Sequence, residues 1–246
     1  MKKLLFLITV FMLTFSPHAF SQTVEEMYEK GVEYSEAQDY KNARELWEKA
    51  AAQGYAPAQS NLGALYENGR GVSLDYEKAR QWYEKAAMQG DAFGQANLGF
   101  LYASGKGVRQ SYAKAMELFE KAAAQGNPNA QFNLGAMYDD SEGVRRNYAK
   151  AREWYEKAAA QGYALAQNNL GYMYEHGNGV RRNYTQARRW YEKAAAQGNP
   201  NAQQSLGHLY YRGLGVDRDH AKAKEWFRKA CDNGFQEGCT AYKILN

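Results

Sequence analysis

The chain has 246 residues, a formal net charge of +4 at pH 7 and 45% hydrophobic residues. This nearly balanced charge does not favour nucleic acid as a partner. After the first 20 residues no apolar run is long enough to cross a bilayer, so we do not expect a membrane-spanning protein.

Residues 1–21 have the features of a secretory signal peptide. Lys2 and Lys3 form a positive start, an apolar run follows from Leu4 to Phe15, and small residues precede a cleavage point after Ser21. The residue directly after that point is Gln22 and not a cysteine, so no lipoprotein attachment is indicated. We therefore expect a periplasmic or secreted protein, and the loss of two lysines lowers its formal charge from +4 to +2.

From residue 56 the sequence repeats every 36 residues without slippage. The columns in register include a leucine (Leu62, Leu98, Leu134, Leu170, Leu206) and the glycine that follows it (Gly63, Gly99, Gly135, Gly171, Gly207). Each unit predicts two helices. In the first unit Ala58, Leu62 and Leu65 share one helical face, glycines at 69 and 71 end that helix, and a second helix begins near Tyr76.

The start of each second helix is marked by a residue that can cap it. The column holds Asp75, Ser111, Asn147, Asn183 and Asp219. Each of these side chains has an oxygen that can accept an unpaired backbone N–H, a contact worth about 1 kcal/mol. The shared chemistry predicts that all five are N-caps.

The repeated pattern is Ala-Gln-x-Asn-Leu-Gly-x-x-Tyr, then Gly-x-Gly-Val, then Tyr-x-Lys-Ala-x-x-Trp-Tyr-x-Lys-Ala-Ala-x-x-Gly. It resembles the Sel1-like repeat, a relative of the tetratricopeptide repeat. Five copies cover residues 56–234, and residues 22–55 resemble a plain tetratricopeptide repeat whose inter-helix loop is four residues shorter. In the third copy Ser141 replaces the first glycine of Gly-x-Gly, so we expect a loop of different shape there. The resemblance implies an all-α fold, a right-handed α-solenoid of stacked antiparallel helix pairs.

The last residues, 235–246, predict one further first helix that caps the solenoid. Cys231 and Cys239 lie on either side of the turn before it. An even pair of cysteines in an exported chain indicates one disulfide. We favour a staple against fraying of the terminal helix over a redox function.

Resemblance to these families implies that a protein or peptide binds on the concave face, which the first helices line. A row of asparagines there could pair with the main chain of an extended segment: Asn61, Asn97, Asn133 and Asn169, continued by Ser205. The alternative is that these asparagines bond the neighbouring repeat. Phe100, Phe132, Tyr172 and His208 occupy variable positions on the same helices and could be contacts for a partner. The alternative for the aromatic residues is packing between repeats.

A basic edge is predicted at the loops after the first helices. It contains Arg145, Arg146, Arg181 and Arg182. An acidic partner or an anionic envelope surface could use it, although solvated charge is the simpler interpretation. A structural role in envelope assembly through this edge is one alternative function.

Catalytic and metal-binding patterns are weak. Ser111 and Lys114 match the Ser-x-x-Lys of penicillin-interacting enzymes, but both belong to structural columns of the repeat. Some cysteine-rich Sel1-like relatives have been called β-lactam-binding, which keeps that function as another alternative. Asp139, Asp140 and Glu142 could attract a cation, yet solvated acid is the simpler interpretation. We therefore expect no enzyme, metal or cofactor, and predict a monomeric adaptor whose partner is another protein or a peptide segment.

Overall fold

The computed structural model describes residues 22–245, and the predicted signal peptide lies outside them. The described part is all α-helical. Its helices are α1 Val24–Glu36, α2 Tyr40–Ala52, α3 Ala56–Asn68, α4 Tyr76–Met88, α5 Ala92–Ser104, α6 Tyr112–Ala124, α7 Pro128–Asp140, α8 Tyr148–Ala160, α9 Ala164–His176, α10 Tyr184–Ala196, α11 Pro200–Arg212, α12 His220–Asp232 and α13 Gln236–Ile244.

Each odd-numbered helix from α1 to α11 is the first helix of a pair and packs on the even-numbered second helix that follows it, and α13 packs on α12. Successive first helices also contact one another directly, as α3 does α5 and α9 does α11. Successive second helices are further apart, so the first helices form the inner, concave side. The predicted α-solenoid is confirmed. None of the helices in residues 22–245 is long and apolar enough to cross a membrane.

The predicted caps of the second helices are confirmed in all five units. Each capping oxygen accepts the backbone N–H three residues later, at 2.9 Å for Asp75 and 3.1 Å for Asn147, and the same contact occurs at Ser111, Asn183 and Asp219. The shorter first loop is also confirmed, because only residues 37–39 separate α1 from α2, whereas residues 69–75 separate α3 from α4.

The loop of the third unit does not differ as expected. Ser141 ends α7 with φ 66°, the same left-handed conformation that Gly69 adopts at 64° and Gly105 at 71°. That prediction was wrong because the rest of the turn, including Gly143 at φ 70°, is retained and holds the serine in place. A non-glycine residue in this conformation costs about 1–2 kcal/mol.

The core of each of the five 36-residue units is an aromatic ring of the second helix lying against a glycine of the first helix. The rings are Tyr83, Phe119, Tyr155, Tyr191 and Phe227, and all are nearly inaccessible to solvent. A Cβ on Gly135 would lie 2.6 Å from Cδ1 of Tyr155. The repeated glycine is therefore required by the space that the ring occupies.

A chain of buried amides joins neighbouring units. Gln131 on α7 donates to the carbonyl of Ala123 at 3.4 Å and accepts from Gln161 at 2.9 Å. The equivalent glutamines each accept the same kind of hydrogen bond from a side-chain amide: Gln59, Gln95, Gln167 and Gln203. Because buried amides need partners, this network fixes how one unit sits on the next.

The C-terminal helix is held as predicted. Cys231 on α12 and Cys239 on α13 form a disulfide, with their Cα atoms 4.4 Å apart. Gly238 packs against Ala230, where its Cβ would lie only 2.7 Å from that of the alanine. The terminal first helix is thus attached both covalently and by close packing.

Candidate functional site

Three recesses open on the concave side, each between one first helix and the next. The N-terminal recess, of about 170 Å³, includes Glu36, Trp47, Asn61, Ala64, Asn68 and Arg70. The central recess, of about 430 Å³, includes Asp139, Asp140, Arg146, Asn168, Asn169 and Tyr172. The C-terminal recess, of about 220 Å³, includes His208, Tyr211, Phe227, Ala241, Ile244 and Leu245. The recesses occupy equivalent positions in the repeat. Asp139 and Tyr172 of the central recess correspond to Tyr211 and Ile244 of the C-terminal recess.

The row of asparagines lies at these recesses, and some of its side-chain amides lie beside tyrosine hydroxyls of the preceding unit. Burial, followed by the Glu67 carboxylate, raises the pKa of Tyr83 far above its usual value, and a hydrogen bond from Asn97 opposes that rise. Asn169 acts in the same way on Tyr155. Asn97 and Asn169 therefore lie beside a tyrosine hydroxyl of the preceding unit.

Asn133 is placed differently, because the corresponding ring of the preceding unit is Phe119, which has no hydroxyl. Its side chain is half-buried, as are those of Asn61, Asn97 and Asn169. Whether any of the four binds a partner stays a prediction.

A tyrosine–carboxylate pair accompanies the asparagines in three units. The hydroxyls of Tyr83 and Tyr191 donate to Glu67 and Glu175 at 2.6 and 2.7 Å, and Tyr155 donates to Asp139 at 3.3 Å. Where the ring is Phe119 or Phe227, the residue sixteen positions earlier is Ala103 or Tyr211. These pairs were not predicted from the sequence. The signal was present, because an acidic residue stands sixteen positions before the ring wherever the ring is a tyrosine.

Phe100 and Tyr172 are the exposed aromatic residues of the concave row that the sequence singled out. Their exposed fractions are 38% and 48%. Lys106 lies over the Phe100 ring at 5.2 Å, and Tyr172 stacks on His176 with ring centres 4.0 Å apart. Both rings are therefore supported by neighbours and accessible to a partner.

Phe132 instead packs between units. Its ring centre lies 5.3 Å from that of Tyr163 and 5.7 Å from that of Tyr155. Tyr28 and Tyr55 occupy the corresponding positions of the first unit, and their ring centres are also 5.3 Å apart. The repetition of this contact favours the packing alternative for Phe132.

His208 lines the C-terminal recess. Its ring lies edge-on to Phe227 with centres 5.1 Å apart, and Gln204 lies 3.0 Å from its Nε2 atom. Burial, reinforced by Arg212, lowers the pKa of His208. The neutral imidazole that this favours suits a recess with apolar walls.

The residues of the predicted basic edge, Arg145, Arg146, Arg181 and Arg182, are all exposed. The guanidinium groups of Arg146 and Arg182 lie over the rings of Tyr148 and Tyr184, at 5.7 and 5.5 Å. Such cation–π contacts orient the two arginines at the loops without removing them from solvent.

The two residues of the Ser-x-x-Lys pattern, Ser111 and Lys114, make contacts that belong to the repeat itself. The hydroxyl of Ser111 accepts the Lys114 N–H as a helix cap at 3.4 Å, and the ammonium of Lys114 lies 5.0 Å from the centre of the Tyr102 ring. In residues 22–245 no three metal-ligating side chains of histidine, cysteine or acidic type cluster as a metal site would require.

The Sel1 repeat family model matches residues 26–55, 56–91, 92–127, 128–163, 164–199 and 200–235. The chain belongs to the Sel1 repeat family. The match includes the short first unit, which the sequence analysis compared with a tetratricopeptide repeat. As a Sel1 repeat protein it has an architecture that suits a scaffold for protein–protein interaction.

Solved structures of similar chains agree with this assignment. A protective antigen of uropathogenic Escherichia coli strains with an SLR fold is 37% identical, with a TM-score of 0.77 over 91% of this chain and 49% of that one. This Sel1 repeat protein thus spans about half the length of that relative. A Sel1 repeat protein from Oxalobacter formigenes is 34% identical, with a TM-score of 0.77 over 89% of this chain and 86% of that one.

An immunity protein from Pseudomonas aeruginosa shares the fold of this Sel1 repeat protein at 24% identity. Its TM-score is 0.58 over 85% of this chain and 81% of that one. No curated protein matches the chain significantly.

Proposed function

We propose that this Sel1 repeat protein is an exported adaptor that binds a segment of another protein on its concave face. The observation that carries the proposal is the row of first-helix positions in which Phe100 and Tyr172 are 38% and 48% exposed. Exposed aromatic side chains on a rigid helical frame are typical of binding hot spots. The export part of the proposal rests on the sequence of residues 1–21.

The geometry supports binding of an extended segment rather than a small molecule. The three recesses recur along the concave side at equivalent places, so a chain that follows the solenoid would meet them in turn. Because first helices are held to their neighbours by the buried glutamines and glycine–aromatic contacts, the surface needs little reorganisation on binding. Preformed surfaces lose less conformational entropy when a partner binds.

Partner capture from a native envelope extract tests this function. The bait is the purified protein, compared with the variant Phe100→Ser/Tyr172→Ser and with a control, Glu120→Gln/Glu153→Gln, whose exposed carboxylates lie on the second helices α6 and α8. We expect the wild type and the control to capture the same protein and the aromatic variant to lose it. Equal capture by all three baits would contradict concave-face binding.

The export prediction has its own test. The mass of the protein purified from the envelope should correspond to a chain that starts at Gln22. An intact N-terminus on protein confined to the cytoplasm would contradict it.

A further inference from the structure

The central recess contains two adjacent carboxylates, those of Asp139 and Asp140, and one cation, the guanidinium of Arg146. Asp139 and Asp140 end α7, and neither lies within 4.0 Å of a basic nitrogen in the described residues. Arg146 belongs to the same recess, where its guanidinium lies over the ring of Tyr148, another lining residue. With two carboxylates and one guanidinium among its lining residues, the recess has an excess of negative charge.

This arrangement is unfavourable for the free protein. Burial, and then the charge of Asp140, raises the pKa of Asp139, and the hydrogen bond from Tyr155 and the charge of Arg146 only partly oppose the rise. In addition, the Oδ1 atom of Asn168, which lines the recess, is buried and receives no hydrogen bond from the described residues. The excess of negative charge and the amide oxygen without a donor favour a ligand that carries positive charge and donates hydrogen bonds.

Tyr172 adds an aromatic wall to the same recess. Its ring is 48% exposed and is fixed by stacking on His176. A cation within about 6 Å of a tyrosine ring is attracted by the ring's quadrupole. Carboxylates, an amide oxygen and an aromatic ring together suit the side chain of arginine or lysine.

The C-terminal recess has the opposite character. Phe227 and Ala241 lie within it, and Ile244 at its edge is 76% exposed. Its described lining residues include the cation Arg212 but no carboxylate, and most of its exposed wall is apolar. A volume of about 220 Å³ admits one large apolar side chain.

We propose that the partner segment is extended and places an arginine or lysine in the central recess and a large apolar residue in the C-terminal recess. This inference rests on the proposed function, whose bound segment it defines. The two recesses are two repeat units apart. If neighbouring first helices are about 8–10 Å apart, the recesses are separated by about 16–20 Å, and an extended chain that rises about 3.3 Å per residue spans that distance in about five or six residues.

Selection of random peptides on the immobilised protein, followed by fluorescence polarisation with the enriched sequences, tests this inference. We expect a basic residue and a large apolar residue about five or six positions apart. Asp139→Asn/Asp140→Asn should weaken binding of the best peptide about tenfold, the equivalent of ~1.4 kcal/mol. Ile244→Asn should weaken it through the other recess, and the control Glu120→Gln/Glu153→Gln, with the same change in charge, should have no effect.

The outcomes separate the two proposals. If peptides bind and Phe100→Ser/Tyr172→Ser abolishes binding, while the Asp139→Asn/Asp140→Asn variant binds as wild type does, the acidic-recess inference is overturned and the concave-face function stands. If the enriched peptides bind all variants equally, the concave-face function is overturned as well. When the basic residue of the peptide is replaced by alanine, the peptide should bind the wild type more weakly but should bind the Asp139→Asn/Asp140→Asn variant as before.

Discussion

The pairing of Tyr191 with Glu175 predicts a measurable coupling between the two side chains. The ring is 1% exposed, and its hydroxyl donates to the carboxylate at 2.7 Å. A hydrogen bond to a charged group contributes about 1.5–3 kcal/mol to stability, and the half-buried glutamate regains some hydration when it is lost. We therefore expect Tyr191→Phe to lower the free energy of unfolding by about 1.5 kcal/mol.

Glu175→Ala should lower the free energy of unfolding by about 1–2 kcal/mol, because it leaves the buried hydroxyl of Tyr191 without its acceptor. The double variant recreates the combination that the chain already contains at Phe119 and Ala103. It should therefore cost clearly less than the sum of the single changes, with a coupling energy of about 1 kcal/mol.

Urea denaturation followed by both circular dichroism and tryptophan fluorescence measures this cycle. Agreement of the two probes is needed because repeat arrays can depart from two-state unfolding. A coupling below about 0.3 kcal/mol would refute the reasoning. The reciprocal variants give an independent control: Phe119→Tyr alone should destabilise the protein, and adding Ala103→Glu should restore part of the loss.

Three further predictions concern packing, the disulfide and pH. Gly135→Ala should destabilise the protein by about 1–3 kcal/mol through its clash with the second-helix ring. Opening the disulfide with Cys231→Ser/Cys239→Ser should remove about 2–3 kcal/mol, and hydrogen exchange should show the loss mainly in α13. Asp139→Asn should raise stability at neutral pH, because a carboxyl whose folded pKa is raised favours the protonated form.

Each of these has a control. In a Tyr155→Ala background, which removes the ring, Gly135→Ala should no longer destabilise the protein because alanine favours a helix, so an equal loss in both backgrounds would contradict the packing argument. Hydrogen exchange that accelerates throughout the solenoid would contradict a local staple. The advantage of Asp139→Asn should shrink as the pH falls through the folded pKa of Asp139, and an advantage that grew on acidification would have the wrong sign.

The helices could be predicted from the sequence because their determinants are local. Asp75 and its equivalents cap helices through contacts three residues away, and the 36-residue register of glycine and aromatic residues repeats one packing solution in every unit. The disulfide also followed from two cysteines beside one turn. These features need no knowledge of distant residues.

The candidate site was less predictable, because contacts between units decide which side chains stay available. Phe100 and Phe132 look alike in the sequence, yet Phe132 is covered by Tyr163 from the next turn. The recess with Asp139 and Tyr172 joins residues of α7 and α9, whose juxtaposition depends on how units stack. Ser141 shows the same limit at a loop, since its neighbours determine its conformation.

Site-specific photo-cross-linking tests the adaptor function most directly. A photoreactive residue would replace Phe100 or Tyr172 on the concave side, and Glu153 or Arg189 on the second helices, with cross-linking carried out in intact cells. Binding on the concave face predicts cross-links to one partner from the first two positions and none from the others. Cross-links to that partner only from Glu153 or Arg189 would contradict it.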